Sequence, residues 1–253
     1  ISNCKVDFSN YTASQMQLLD SGFIIRGDES GALNYADRIK VLNCSVIMPV
    51  GELGVTYGSG LPRPTGLEIR ACLNAYVEGL YSYGGDLTLT FGNVNNISII
   101  GCTSLEQTAY CTEFASGCNN AFISNCYFES SESQQTVSCT GGGRYFFTNS
   151  TVKGGKGSGH SLVVSQNSSK VHFTNGLINP TVDSTNGICL VNGGSCFINN
   201  TEFYTESSTA GWFLISETGT NPYASIKGCT FEGSNYGPID TTSTLTFLRV
   251  SDS

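Results

Sequence analysis

The chain has 253 residues, 13% of them charged, with a formal net charge of -8. Gly, Ser, Thr and Asn abound while long runs of Ala, Leu, Glu and Lys are missing, which excludes a mainly helical protein. Without a cluster of Lys and Arg to displace counterions, nucleic acid is not an expected partner; without an apolar run near the ~20 residues of a membrane helix, neither is membrane insertion.

Ile1 is not an initiator methionine, and Ile1-Ser2-Asn3-Cys4-Lys5-Val6 is already one copy of a repeat. The chain therefore reads as a piece of a longer protein. The pattern is apolar, any, Asn or Gly, small, any, apolar. It returns around Asn43, Asn125, Asn149, Asn175, Asn200 and Gly228, with weaker copies centred on Ala71 and Gly101. From Gly101 onward the central residues are 24, 24, 26, 25 and 28 positions apart, one structural unit per period. Before it the spacings are 40, 28 and 30. A single domain over 1–253 is expected, with less regular coils and longer insertions in 1–96 and regular coils in 97–253.

A second apolar run recurs midway between copies, at Val137-Ser138-Cys139, Leu162-Val163-Val164, Ile188-Cys189-Leu190-Val191 and Trp212-Phe213-Leu214-Ile215, each followed by turn residues. Strands of four to eight residues without helical spacers bury their apolar sides only by stacking coil on coil. The predicted fold is all-β: a right-handed parallel β-helix with coils of about 24 to 28 residues. The central Asn or Gly supplies the left-handed backbone of a tight bend, and stacked Asn amides can bond between coils as a ladder.

This Asn ladder with small and apolar neighbours resembles the right-handed parallel β-helices of the pectin-lyase-like superfamily, over essentially the whole chain. The resemblance implies the fold and leaves function open, because that fold carries lyases, hydrolases, phage tailspikes and adhesins. The catalytic motifs of its enzymes are missing. Gly159-His160-Ser161 is only a fragment of the Gly-His-Gly of polygalacturonase-like hydrolases, no Asp-Asp occurs, and no Asp cluster suits calcium. His160 and His172 have no metal or triad spacing around them, so surface or turn roles are expected. No cofactor or metal is expected.

The chain contains 11 cysteines. Cys4, Cys44, Cys72, Cys102, Cys126 and Cys229 are predicted to follow the bend in one inward column, reduced and packed as small hydrophobes. The second and fourth residues after each bend should form an exposed sheet face. There Glu202 and Glu232, on adjacent coils, are the candidate catalytic acids, since glycosidase pairs work at ~5 to 9 Å. Tyr127, Glu129 and Tyr204 are the candidate glycan-binding residues, the rings for stacking on sugars and the acid for hydroxyls. Ile47, Leu105, Tyr127, Leu177 and Tyr204 would also leave apolar surface facing outward, as a partner interface does.

Three functions follow as expectations. The first is a tailspike-like or viral fibre domain, in a virion, that binds a cell-surface polysaccharide of the host as a homotrimer. The second is a polysaccharide depolymerase, hydrolase or lyase, with its acids outside the familiar motifs. The third is a structural or adhesive solenoid of a bacterial surface protein. Phe122 to Asn125 and Phe146 to Asn149 resemble the Phe-x-x-Asn of chlamydial polymorphic membrane proteins, although the companion Gly-Gly-Ala is absent.

Overall fold

The computed structural model describes residues 1–11, 21–27, 35–50, 65–108, 110–130, 136–154, 160–165, 169–179, 186–204, 212–218, 223–232, 236–240 and 247–251. Among these there is no helix, and the strands, β1 to β25, stack in parallel as a β-solenoid. Parallel strands cannot be joined by a hairpin. Here the rest of the coil makes each crossover, so every strand pairs with its counterpart one period away.

Three faces result. The short-strand face is a nine-stranded sheet of β1 (Lys5–Asp7), β4 (Ser45–Ile47), β6 (Tyr81–Tyr83), β8 (Thr103–Gln107), β11 (Tyr127–Ser130), β14 (Thr151–Lys153), β17 (Leu177–Asn179), β20 (Glu202–Tyr204) and β23 (Thr230–Glu232). A second face consists of β3 (Ala36–Leu42), the second halves of β5 (Thr65–Glu78) and β7 (Leu87–Ile100), then β10 (Asn120–Ser124), β13 (Arg144–Thr148), β16 (Lys170–Thr174), β19 (Ser195–Asn199), β22 (Tyr223–Lys227) and β25 (Phe247–Ser251). The third face holds β2 (Ser21–Arg26), the first halves of β5 and β7, then β9 (Tyr110–Phe114), β12 (Val137–Cys139), β15 (His160–Ser165), β18 (Asn186–Val191), β21 (Trp212–Thr218) and β24 (Tyr236–Asp240). The apolar runs midway between repeat copies are β12, β15, β18 and β21 of this face. Trp212 begins β21, but its side chain lies outside the described residues, as does that of His160.

Alternation sends every second residue inward. On the second face the inward column Val41, Val77, Ile99, Ile123, Phe147, Phe173, Ile198 and Ile226 is buried throughout. It belongs to one apolar core that extends from Ile39 to Ile226, beside a smaller cluster of Val46 and Met48.

The bend between the second and short-strand faces is left-handed on each coil: Asn3, Asn43, Gly79, Gly101, Asn125, Asn149, Asn175, Asn200 and Gly228 have φ between 46° and 63°. Asn and Gly tolerate this conformation best, which is why they alone fill the column. The bends from Asn3 to Asn200 also hand their backbone N–H to the next coil, as Asn125 does to the Thr148 carbonyl at 3.1 Å and Asn149 to that of Thr174 at 3.1 Å. Asn side chains form hydrogen-bonded ladders beside β10: Asn120 donates to Asn96 at 3.5 Å, Asn96 to Asn74 at 3.1 Å, and Asn119 to Asn95 at 2.8 Å.

The weak repeat copy centred on Ala71 is a different corner. Ala71 (φ 49°) aligns with Asn93 (φ 53°), where β5 and β7 cross from the third face to the second. The corresponding bend of that coil is Gly79. Both corners place a buried residue after a left-handed one, so the local pattern alone does not separate them. Cys72 accordingly leaves the predicted cysteine column and stands in register with Val94, while Leu80 takes its place after Gly79.

After seven of the nine bends the next residue carries a side-chain donor, Leu80 and Gly176 being the exceptions. The Cys126 thiol donates to the Ser124 carbonyl at 3.3 Å, Ser150 to Thr148 at 3.0 Å, Thr201 to Asn199 at 2.9 Å and Cys44 to Leu42 at 3.3 Å. Cys4, Cys102 and Cys229 do the same two residues back. Cys, Ser and Thr interchange here because each is a short side chain carrying a donor.

Candidate functional site

The five predicted site residues all lie on the short-strand face, in two separate groups. In the first, Tyr127 Oη donates to Glu129 Oε2 at 2.7 Å and Lys153 Nζ stands 2.9 Å from Glu129 Oε1. Burial, and then the Glu129 carboxylate, push the Tyr127 phenol up to about 12. The second group lies beyond β14 and β17. Glu202 aligns with Thr230, and Tyr204 with Glu232, so the two carboxylates are diagonal neighbours, both exposed. Ile47, Leu105, Tyr127, Leu177 and Tyr204 are half-buried on this face. No cluster of His, Cys, Asp and Glu suited to a metal ion occurs among the described residues. On the third face, Glu68 is buried between Arg26 and Arg70, whose guanidinium nitrogens stand 2.7 and 2.6 Å from Glu68 Oε1, so these charges brace β2 against β5.

The most distinctive outward surface is on the second face. Register places Lys40, Tyr76, Ser98, Phe122, Phe146, His172, Phe197 and Ser225 in one column. The rings from Phe122 to Phe197 stack: Phe122 on Phe146 at 5.1 Å and 9°, Phe146 on His172 at 4.8 Å and 15°, His172 on Phe197 at 4.7 Å and 10°. Tyr223 closes on Phe197 at 5.3 Å, tilted by 41°. Parallel in-register strands repeat at ~4.8 Å, which coincides with ring stacking, so one aromatic per coil builds a continuous ladder.

The columns on either side are polar. Arg38, Asn74, Asn96, Asn120, Arg144, Lys170 and Ser195 run along one edge of the ladder, and Ser124, Thr148, Thr174, Asn199 and Lys227 along the other. The strands of this face contain Arg38, Lys40, Arg144, Lys170, Lys227 and Arg249, half of the chain's 12 basic residues, against Asp37 and Glu78. An acidic protein thus has a basic, aromatic face. His172 sits between phenyl rings, where burial, followed by Arg144 and Lys170, lowers its pKa from 6.5. Near neutral pH it is an uncharged rung. Both expected roles for His172, surface or turn, narrow to the surface of a strand.

Sequence reasoning missed this ladder although its signal was present. Each rung stands three residues before a bend: Phe122 before Asn125, Phe146 before Asn149, His172 before Asn175, Phe197 before Asn200. The rungs lie before the bend, on the side opposite the candidate acids, and the net charge of -8 masks the basic residues of this one face. Compared with known protein families, with curated proteins and with solved structures, the chain matches none.

Proposed function

We propose that this β-solenoid binds a cell-surface polysaccharide of a host, as a tailspike-like or viral fibre domain does, and that the second face is its glycan surface. The observation that supports this reading is the stacked ladder from Phe122 to Tyr223, flanked by amides, hydroxyls and cations. Sugars present C–H groups to aromatic carbon and hydroxyls to amides and charged groups, and an elongated chain matches a ladder that repeats every coil. The half-buried Ile47, Leu105, Tyr127, Leu177 and Tyr204 then leave the short-strand face for a homotrimer interface.

An array of bacterial and animal surface glycans tests the reading. The intact chain is expected to bind a subset, and Phe146→Ala or Phe197→Ala to weaken that binding about tenfold, the loss of ~1 to 1.5 kcal/mol of ring contact. Binding unchanged in both variants removes the ladder from the function. Light scattering tests the trimer, which a stable monomer at micromolar concentration would defeat. Shortening of the bound glycan on incubation would assign chemistry, with Glu202→Gln and Glu232→Gln deciding whether those carboxylates perform it.

A further inference from the structure

The aromatic column has one missing rung. Tyr76 and Phe122 both stand in register with Ser98, so their rings occupy alternate coils with only a hydroxymethyl group between them. Two strand spacings separate them by ~9.6 Å, the distance at which one flat ring stacks on both. From Phe122 to Phe197 each ring stacks on the next. At Ser98 no ring intervenes, and Phe122 is accordingly 55% exposed, the largest value among the exposed large hydrophobics, while Tyr76 is half-buried.

The gap lies in a groove of about 230 Å³ lined by Arg38, Lys40, Asn74, Tyr76, Asn96 and Phe122, among others. That is smaller than the roughly 300 to 1,000 Å³ of pockets for drug-sized molecules, and suits a single ring. Its rim is chemically specific. The Asn74 and Asn96 amides are already oriented by their mutual bond at 3.1 Å, and Asn74 also donates to the Asp37 carbonyl at 3.2 Å. Two carboxylates are near, and both have partners: Asp37 stands 3.5 Å from Arg38 Nε, and Glu78 accepts the Tyr76 hydroxyl at 2.8 Å. No described carboxylate pairs with Lys40, whose Cα partner across the strands is Tyr76.

We infer that the Ser98 gap is a subsite for one pyranose unit carrying an anionic substituent, its faces sandwiched between Tyr76 and Phe122, its hydroxyls on Asn74 and Asn96, and its charge on Lys40 and Arg38. This inference rests on the glycan-binding reading and names the sugar class. The anion is a carboxylate or a sulfate, which share the same recognition by cations.

The intact protein is tested on an array of neutral, uronate-, sialate- and sulfate-bearing oligosaccharides, with single-stranded oligothymidylate as a further probe. Binding should concentrate on acidic sugars, one acidic class exceeding the others according to the substituent preferred. Ser98→Phe, which inserts the missing rung, should weaken it at least about tenfold while leaving the far-ultraviolet spectrum and Tm at wild-type values. Lys40→Ala should remove the preference for acidic over neutral sugars. Should Ser98→Phe fail to fold, Tyr76→Ala and Phe122→Ala each strip one wall and must give the same loss. If Phe146→Ala abolishes binding but Ser98→Phe and the wall variants do not, the glycan reading stands and this subsite is wrong. If no glycan binds, both fall, and preferential binding of oligothymidylate reassigns the face to nucleic acid.

Discussion

Replacing Gly101 by Ala measures what a left-handed bend costs, without other changes. Gly101 has φ 59° and a Cβ built on it meets nothing within 4 Å. Only the backbone penalty of roughly 1 to 2 kcal/mol therefore acts against Ala, and about 0.4 to 1 kcal/mol returns because Ala restricts the unfolded chain more than Gly does. A net loss of about 1 kcal/mol is expected. At Gly79, with φ 63°, the same Cβ lies 2.6 Å from Asn43 Oδ1, so Gly79→Ala must cost more. Asn149 has φ 50° and no glycine entropy to recover, so Asn149→Ala should lose the full ~1 to 2 kcal/mol and Asn149→Gly less. The backbone N–H of Asn149 still reaches the Thr174 carbonyl in either variant, which keeps the intercoil bond out of the comparison. Urea midpoints at constant m-value report the differences, the constancy being needed because repeat arrays can lose two-state behaviour. Equal midpoints for wild type, Gly101→Ala and Asn149→Ala would refute a left-handed bend as the reason for Asn and Gly in this column.

Cys126→Ser should cost less than Cys126→Ala, since serine keeps the donation to the Ser124 carbonyl, just as Ser150 donates to the Thr148 carbonyl one coil along; equal urea midpoints for the two variants would show that this bond contributes nothing. Burial pushes the Cys111 thiol up to about 12 and that of Cys118 to about 11, from an ordinary 9.0. The folded protein therefore holds protons that the unfolded chain releases above pH 9, so stability present below 9 is lost as pH rises through 11 to 12. A flat urea midpoint between pH 8 and 11 would contradict that burial. Glu129→Gln should bring the Tyr127 phenol down from about 12 but leave it above its ordinary value, because burial is the larger cause, as tyrosinate absorbance against pH will show.

The fold was legible because its cause is periodic: a left-handed residue with apolar neighbours recurs once per coil, usually followed by a short donor, and stacking is the one arrangement that buries them all. The misplaced copy at Ala71 shows the limit of that legibility. Corner identity depends on which strands pair, and Ala71 and Gly79 are separated only by the register of β5 with β7. The outward direction of Tyr127, Glu129, Glu202, Tyr204 and Glu232 followed from alternation alone, whereas their grouping did not. The 24-residue spacing of Asn125 and Asn149 does put Lys153 in register with Glu129, but it does not set the side-chain conformations that close their 2.9 Å ion pair. The aromatic ladder required reading the column three before the bend across coils, where Phe, Phe, His and Phe look unremarkable within each coil.

Within that ladder His172 is the one rung that can gain a proton, and this makes acid sensitivity a test of the stacking. Its imidazole is stacked on Phe146 at 4.8 Å and on Phe197 at 4.7 Å, while Arg144 and Lys170 occupy the adjacent column. Phenyl faces attract a cation, but burial and those two positive neighbours dominate and lower the pKa from 6.5. A lowered histidine pKa means that the folded state binds fewer protons than the unfolded one. Stability from this group is thus complete above pH 6.5 and declines as pH falls through the folded-state value. His172→Phe removes the titration and keeps a flat ring in the same register. The variant should match wild type near pH 7.5 and exceed it at pH 5, in urea midpoint or in Tm. Other acidic transitions are common to both proteins and cancel in the difference. Parallel profiles from pH 7.5 to 5 would mean that His172 is solvated in the folded protein and that the ladder is broken at its centre. A wild type that gains on the variant in acid would mean that the cation–π attraction outweighs burial and the neighbouring charges.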